Sequence, residues 1–489
     1  MTGVRATVVG SGPNGLAAAI VLARAGCAVT VREAAPTVGG GLRSAPLTKP
    51  GFVHDVCASV MPLGALSPFL RSLPLADHGL AWTTPPVALA HPFDEGTAAV
   101  LEQSLIATSE RLGVDCAAYR ALMDPLLGAI DTLLPEILAP LHVPRHPLLL
   151  ARFGMHGIRS AEHLGSARFR GEYARALLGG TAAHAVVRLD QSPSAAFALV
   201  LLVAAHAVGW PFVRGGSQGL ADALVSYLRT LGGTVIADAP VRSIDELETP
   251  DIVMLDLTPP QILALAGHRL PAAYASALRR YRFGPGVFKV DWALSAPVPW
   301  TATDARRSGV LHLGGRIEEI AAAEADVWEG RHPERPFVIL AQPTVFDSGR
   351  APPGSHTLWA YCHVPNGSPF DMTSRIENQI ERFAPGFRDL VIGSHVMAPA
   401  AMQAHDANLI GGEIGGGENS LTQLFFRPVA RRIPYATPLR GVYICSASTP
   451  PGGAIHGMGG YHAAKAALRA LRLTPSPIAP VSTPPRAPA

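Results

Sequence analysis

The chain has 489 residues, of which 48% are hydrophobic, which is enough for about two to four domain-sized units and a large buried core. Charged residues make up only 16%, the formal net charge is +3, and no basic run or stripe is present, so nucleic acid is excluded as a partner. Cys27, Cys57, Cys116, Cys362 and Cys445 are scattered without metal-ligand or Cys-x-x-Cys spacing, which reads as reduced thiols of a cytoplasmic protein with no metal centre.

In chain order, residues 4–9 form a short apolar run expected to be a strand. Residues 16–25 read as a helix apolar on almost every side, and residues 27–32 as the next strand. Strand, helix and strand make a βαβ unit with parallel pairing and a right-handed crossover. A helix-rich stretch runs from 101 to about 209, with apolar periodicity over 122–138 and 168–178. The glycine turn Gly215-Gly216-Ser217-Gln218-Gly219 then opens a helix over 220–231, followed by strands at 234–237 and 252–257. Residues 284–294, 338–340 and 357–363 alternate between Pro/Gly turns, as antiparallel strands of a second sheet do. The chain returns to α/β character at 441–445 and in a helix over 460–471, and the Pro/Ser/Ala-rich residues 475–489 read as a disordered tail.

Two stretches imitate membrane signals. Residues 6–23 carry no charge but are broken by Gly10-Ser11-Gly12-Pro13-Asn14-Gly15, which fits a strand, a turn and a helix better than a signal peptide. Residues 195–208 are apolar over a length that favours a buried helix over a span. The alternative is a shallow peripheral membrane contact, which would suit a lipophilic substrate.

The turn Gly10-x-Gly12-x-x-Gly15, with Pro13 and Asn14 inside it, lies between a strand and a helix. There, backbone N–H groups and the positive helix end hold a pyrophosphate without side-chain bulk. Glu33 closes the next strand about 20 residues on, where a carboxylate accepts hydrogen bonds from ribose hydroxyls and repels a 2′-phosphate. The bland alternative is a glycine turn in an α/β fold that binds nothing.

After Glu33 come Val38-Gly39-Gly40-Gly41-Leu42-Arg43-Ser44, which resemble the flavoprotein group of monoamine oxidases and phytoene desaturases. In that group the glycines bring the chain close to FAD, and an arginine, here Arg43, reaches its phosphates. Val241 resembles the group's valine whose backbone meets the adenine. The segment Pro450-Pro451-Gly452-Gly453-Ala454-Ile455-His456-Gly457-Met458-Gly459-Gly460 resembles the turn that meets the flavin, with Gly453, Ile455 and Met458 as contacts. Where many relatives have Gly-Asp, this chain has Ser446-Ala447-Ser448, so hydroxyls or backbone must serve there. Gly51-Phe52-Val53-His54-Asp55, the glycine turn at 215–219 and Phe283-Gly284-Pro285-Gly286-Val287-Phe288-Lys289-Val290-Asp291-Trp292 narrow the resemblance to phytoene-desaturase-like proteins.

The resemblance spans nearly the whole chain and implies an α/β fold. A Rossmann-type FAD-binding domain (residues 1–75, 208–270 and 405–474) is interleaved with an α+β substrate domain (76–207 and 271–404). It further implies FAD as cofactor and a dehydrogenase that desaturates an apolar polyene, lipid or alkyl-chain substrate by hydride transfer to flavin. The electron acceptor, whether oxygen, quinone or a carrier, stays open, and no second Gly-x-Gly-x-x-Gly follows a strand to suggest a separate NAD(P)H domain.

The chain has only three lysines, Lys49, Lys289 and Lys465. Lys289 resembles the lysine that holds a water at flavin N5 in monoamine oxidases. Alternatively it faces solvent from an edge strand, or pairs with Asp291, which points to the same side two residues on. His363 and His456 are further candidates for proton transfer, although a lone histidine is more often structural. A double-bond isomerase or saturase, an amine oxidase, and a flavin-free binding protein resembling Rab GDP-dissociation inhibitors remain as alternatives.

Overall fold

The computed structural model describes residues 3–248 and 250–474, so the expectation for the tail at 475–489 falls outside the described residues. Two sheets organise the chain. The first is a five-stranded parallel sheet in the order Val442–Ile444, Ile252–Leu255, Arg5–Val9, Ala28–Arg32, Thr234–Ile236. Its strands are short and rich in β-branched residues. The central one is flanked on one side by Ala28–Arg32 and on the other by Ile252–Leu255, so the strand order reverses beside it, where α/β sheets bind their ligands. Pro13 occupies the first turn of the helix Pro13–Arg24, where its missing N–H costs nothing, so this helix begins three residues before the apolar run suggests. Helix Met458–Ala470 packs beside it, and Gly460 lies so close that an added Cβ would sit 1.8 Å from the carbonyl oxygen of Asn14.

The second sheet has seven strands in the order Val391–Met397, Gly286–Leu294, His356–Val364, Val338–Ala341, Ser308–Leu313, Val87–Pro92, Ala98–Glu102. The three runs expected to be antiparallel strands, 284–294, 338–340 and 357–363, do pair antiparallel, and strands without a counterpart in the sequence reading join them. Ser308–Leu313 and Val87–Pro92 pair in parallel, because they come from separate visits of the chain with the helical stretch between them. One face of this sheet packs Phe288, Val290, Trp292, Leu340 and Leu358 against Ile376, Ile380 and Phe383 of the amphipathic helix Thr373–Phe383. The other face, bearing Val287, Lys289, Ile339, Ala341, Trp359 and Tyr361, looks into a cavity.

Helix Ser194–Val208 corresponds to the apolar run at 195–208. It is buried, with Ala195, Ala198, Leu199 and Leu202 at 1% exposure or less. The membrane-contact reading of this segment is therefore set aside: its apolar sides are taken by neighbouring helices and by the cavity, into which Ala196, Phe197, Val200 and Leu201 project. Among the described residues, no helix is long and apolar enough to cross a membrane.

Candidate cofactor and substrate cavity

The parallel sheet ends in a turn built around backbone geometry that only glycine adopts readily. Gly10 has φ +98°, and a Cβ on Gly15 would lie 2.3 Å from the Gly10 carbonyl oxygen. The Leu16 amide bonds back to the Gly12 carbonyl, and since Gly12 has no side chain to cap the helix start, Asp256 Oδ2 takes the Gly15 amide from outside the helix. The helix N-terminus faces the cavity beside Gly10, Gly12, Pro13 and Asn14, and its positive end attracts an anion there.

Glu33 lies at the far edge of this turn, 7% exposed. Its Oε2 accepts from the Ser11 amide (2.9 Å) and Ser11 Oγ (2.5 Å), and its Oε1 from the Ala35 amide (2.9 Å) and Arg43 Nη2 (3.2 Å). Four donors already fill a carboxylate's usual capacity, so ribose hydroxyls bound here would have to share or replace Ser11 Oγ. Arg43 is held in place by the same network. Its Nε donates to the Thr37 carbonyl and its Nη1 to the His405 carbonyl, both at 3.0 Å, so it lines the cavity as a fixed cation rather than a free arm.

The cavity has a volume of about 1280 Å³, above the ~300–1,000 Å³ of ordinary ligand sites. It brings together most of the residues singled out from sequence: Gly10, Gly12, Pro13, Asn14, Glu33, Gly40, Gly41, Arg43, Val241, Lys289, Ser446, Gly453, Ile455 and His456. Gly15, Leu42 and Met458 stand behind the wall. The Gly15 amide is bonded to Asp256 at 2.9 Å, Leu42 is fully buried, and Met458 begins the last helix. Ser446 Oγ donates to the Leu257 carbonyl at 2.8 Å, which fixes the segment that departs from the Gly-Asp pattern.

His363 is not in the cavity wall. It shares the cavity-facing side of its strand with Tyr361, but its Nδ1 lies 2.9 Å from both oxygens of Glu324, on helix Ile317–Trp328, which holds the ring away from the cavity. His456 is at the wall. Its Nδ1 accepts from the Met458 amide at 3.1 Å, and burial pulls its pKa down to about 4. The neutral ring must then carry its proton on Nε2, a buried donor without a protein partner. Such a donor beside the 450–460 turn matches a bound group that offers an acceptor.

Lys289 lies on an interior strand, paired with His356–Val364 on one side and Val391–Met397 on the other, so the solvent-facing edge reading is corrected. The lysine is 1% exposed, forms an ion pair with Asp291 and lies 5.7 Å from the centre of the Trp359 ring. Its buried amine therefore has a counter-charge, as the pairing alternative anticipated. Asp291 also faces His54 Nδ1 at 3.5 Å.

Several wall residues have no signature in the sequence. Asp256, at the end of Ile252–Leu255, reaches under the first glycine turn. The loop 411–417 supplies Ile414, Gly415 and Gly416, and a Cβ on Gly453 would lie 2.6 Å from the Gly415 carbonyl oxygen, so the two glycine turns interlock. A repeated glycine pattern was the available clue. His184, also at the wall, is paired with the buried His312 at 2.9 Å between Nε2 atoms, and burial with His363 nearby lowers its pKa to about 3. Apolar walls are supplied by Phe153, Phe197, Val200, Leu201 and Trp210.

A parallel sheet with a glycine turn at its switch point, joined by one cavity to a second sheet, defines a Rossmann-like dinucleotide-binding fold. Residues 8–73 match the family described as NAD(P)-binding Rossmann-like domain. Along its whole length the chain is a relative of pyridine nucleotide-disulfide oxidoreductase domain-containing protein 2: the mouse protein is 25% identical, over 96% of this chain and 94% of its own. The 4,4'-diapolycopen-4-al dehydrogenase of Metabacillus indicus is 32% identical over 25% of this chain and 26% of its own. Among solved structures, an oxidoreductase from Methanosarcina mazei superposes with a TM-score of 0.64 at 17% identity, covering 95% of this chain and 100% of the other. Putrescine oxidase bound to putrescine does so with a TM-score of 0.58 at 18% identity, covering 96% and 99%.

Proposed function

We propose that the cavity binds FAD and that the protein dehydrogenates an apolar polyene, lipid or alkyl-chain substrate. The observation that carries this reading is the continuity of one cavity from the Gly10–Asn14 turn, past Gly453 and His456, to the apolar walls at Phe153, Phe197 and Val200. That path is long enough in volume for a dinucleotide and a second molecule. The orphaned His456 donor and the interlocked glycine turns at 415 and 453 fit a flat heteroaromatic ring with acceptor atoms.

Bound there, FAD supplies the hydride acceptor. The chain does the rest. The positive N-terminus of helix Pro13–Arg24 would receive the diphosphate beside the Asp256 carboxyl that holds the Gly15 amide, and Glu33 with Ser11 would order the ribose end. The walls of Phe197, Val200, Leu201 and Trp210 exclude water from the reacting carbon. Lys289, anchored by Asp291, holds a water or proton at the sheet-side wall. The electron acceptor is oxygen, a quinone or a soluble carrier, and reoxidation rates with each would identify it.

Cys57 also lines the cavity, but burial pushes its thiol up to about 12 and all five cysteines are unbonded, which disfavours a flavin-disulfide relay. The amine-oxidase reading gains support from the putrescine oxidase fold, yet the helical wall of the cavity offers no free carboxylate for a cation. Among the described residues of the helical stretch that line the cavity, only Glu136 is acidic, and its oxygens are taken by His142, His146 and the Arg145 amide.

The test is direct. Purified protein should show, or take up, a flavin spectrum, and anaerobic mixing with a long-chain polyene or alkyl substrate should bleach it for good. Failure to take up FAD removes the flavin reading and favours a binding protein. Uptake with turnover but no lasting bleaching favours an isomerase, and bleaching by amines alone favours an amine oxidase.

A further inference from the structure

Residues 137–161 contain no aspartate or glutamate, but three arginines (Arg145, Arg152, Arg159) and three histidines (His142, His146, His156). Within this stretch Leu141, Val143, Leu148, Met155 and Ile158 are 60%, 89%, 86%, 60% and 55% exposed. Val143 and Leu148 are the most exposed large hydrophobic side chains among the described residues. Soluble surfaces carry single exposed apolar residues freely, but five within eighteen positions form a patch that wants a partner.

Helix Pro147–Gly157 has two faces. Phe153 and Gly157 are buried, whereas Leu148, Arg152 and Met155, at i, i+4 and i+7, are exposed on the opposite side. Two of the three arginines gather with Arg168 of the next helix: burial first, then Arg168, Arg159 and Arg152, lower the pKa of His156 in their midst. The patch is also the rim of the cavity, since Leu141, Leu150 and Ile158 belong to its wall. A second acid-free segment, 419–433, adds exposed Phe425 and Phe426 beside Arg431 and Arg432, with Phe425 again in the cavity wall.

We propose that residues 138–159 dock on a lipid leaflet containing anionic lipid and set the cavity rim against the hydrocarbon. This rests on the reading that the cavity takes an apolar substrate. Leu148, Met155 and Val143 enter the interface, while the arginines meet lipid phosphates with their stems along the apolar surface. Charge selects the occupant: an arginine-rich apolar face whose adjoining carboxylate, Glu136, is buried and taken by His142 and His146 suits anionic headgroups, whereas a second copy would bring the same positive charge against itself. A substrate dissolved in the leaflet then reaches Phe153 and Phe197 without crossing water.

The test is co-flotation of full-length protein with vesicles of phosphatidylcholine alone or mixed with phosphatidylglycerol. The protein should float with the mixed vesicles, less with neutral ones, and less as salt rises. Val143→Ser combined with Leu148→Ser should cut vesicle binding at least about tenfold, since each removes an inserted apolar side chain. Arg145→Glu with Arg152→Glu should abolish the preference for anionic lipid. FAD uptake and the melting temperature should be unchanged in both variants.

Flotation with neither vesicle overturns the proposal, as does flotation indifferent to these substitutions. A wild-type dimer that the Val143/Leu148 variant converts to monomer, without vesicle binding, assigns the patch to a second copy instead. Bleaching of flavin by detergent-dispersed substrate separates the two ideas: bleaching without flotation leaves the substrate reading intact and removes the docking surface.

Discussion

Asp256 Oδ2 accepts a hydrogen bond from the Gly15 amide at 2.9 Å, across 241 residues of sequence, and so places a carboxyl group directly beneath the anion-binding turn. A Cβ on Gly12 would lie 2.6 Å from the same oxygen. Burial raises the Asp256 pKa to about 7; Asp406 and Glu33 push the same way and the Gly15 and Gly12 amides push back.

A diphosphate bound beside this carboxyl favours its neutral form. FAD affinity should therefore be highest below pH 7 and fall as the pH rises through it, as Asp256 ionises. Asp256→Asn keeps an acceptor for the Gly15 amide and removes the charge, so it should tighten binding at about pH 8 by roughly tenfold and flatten the pH profile. Fluorescence titration of FAD across this range checks it, and equal pH slopes in the two proteins would remove Asp256 from the linkage. The same shift sets a sign for the cofactor-free protein. A raised carboxyl pKa leaves stability untouched below about pH 3.8, lowers it increasingly as pH climbs toward 7, and by a constant amount beyond. Asp256→Asn should raise the melting temperature at pH 8, by the equivalent of roughly 2–4 kcal/mol at most, and not at pH 3.5.

Lys289 and Asp291 form a pair with 1% and 0% side-chain exposure. Lys289→Met strands a buried carboxylate and should cost about 3–5 kcal/mol, whereas adding Asp291→Asn should recover much of that. The double variant then reports on chemistry without the folding penalty. Its flavin reduction or reoxidation should be slowed at least about tenfold, and unchanged rates there would show that the lysine only balances charge.

His456 presents its unpartnered Nε2 donor to the cavity. His456→Phe fills similar space without the donor and should weaken FAD binding about tenfold, the scale of one buried hydrogen bond. Because burial pulls the imidazole down to about 4, the loss should be the same at pH 6 and pH 8. A loss seen only at pH 6 would mean a charged imidazole and contradict the neutral tautomer.

Much of this site was legible because glycine turns carry their own backbone requirements. Positive φ at Gly10, Gly40 and Gly457 leaves few other residues able to stand there, and their neighbouring strands and helices are periodic. Asp256 was not legible: nothing local separates it from any strand-end aspartate, and its role comes from a parallel pairing with Arg5–Val9. Lys289 shows the same limit. Whether it sat on an edge depended on Val391–Met397, the alternating, half-exposed strand that takes the edge position instead. His363 misled for a related reason, since Glu324 arrives from a helix nearly forty residues away. The helix Ser194–Val208 was correctly read as buried, but what it lines, a cavity, is a property of its neighbours.

That helix supplies a further prediction, which separates the two halves of the cavity. Val200 and Leu201 line the apolar end, and the Leu201 carbonyl accepts from Trp210 Nε1 at 3.3 Å, which fixes the wall behind them. Val200→Trp should fill space meant for substrate while leaving the turns at 10–15 and 450–460 untouched. FAD affinity should stay within about twofold, but bleaching by a long-chain substrate should fall by more than tenfold, because a close-packed wall cannot move aside for an added indole without strain of about 1–3 kcal/mol. A short substrate should lose less than a long one. Equal losses for both, or a parallel loss of FAD, would mean that the apolar end is part of the cofactor site and that substrate enters elsewhere.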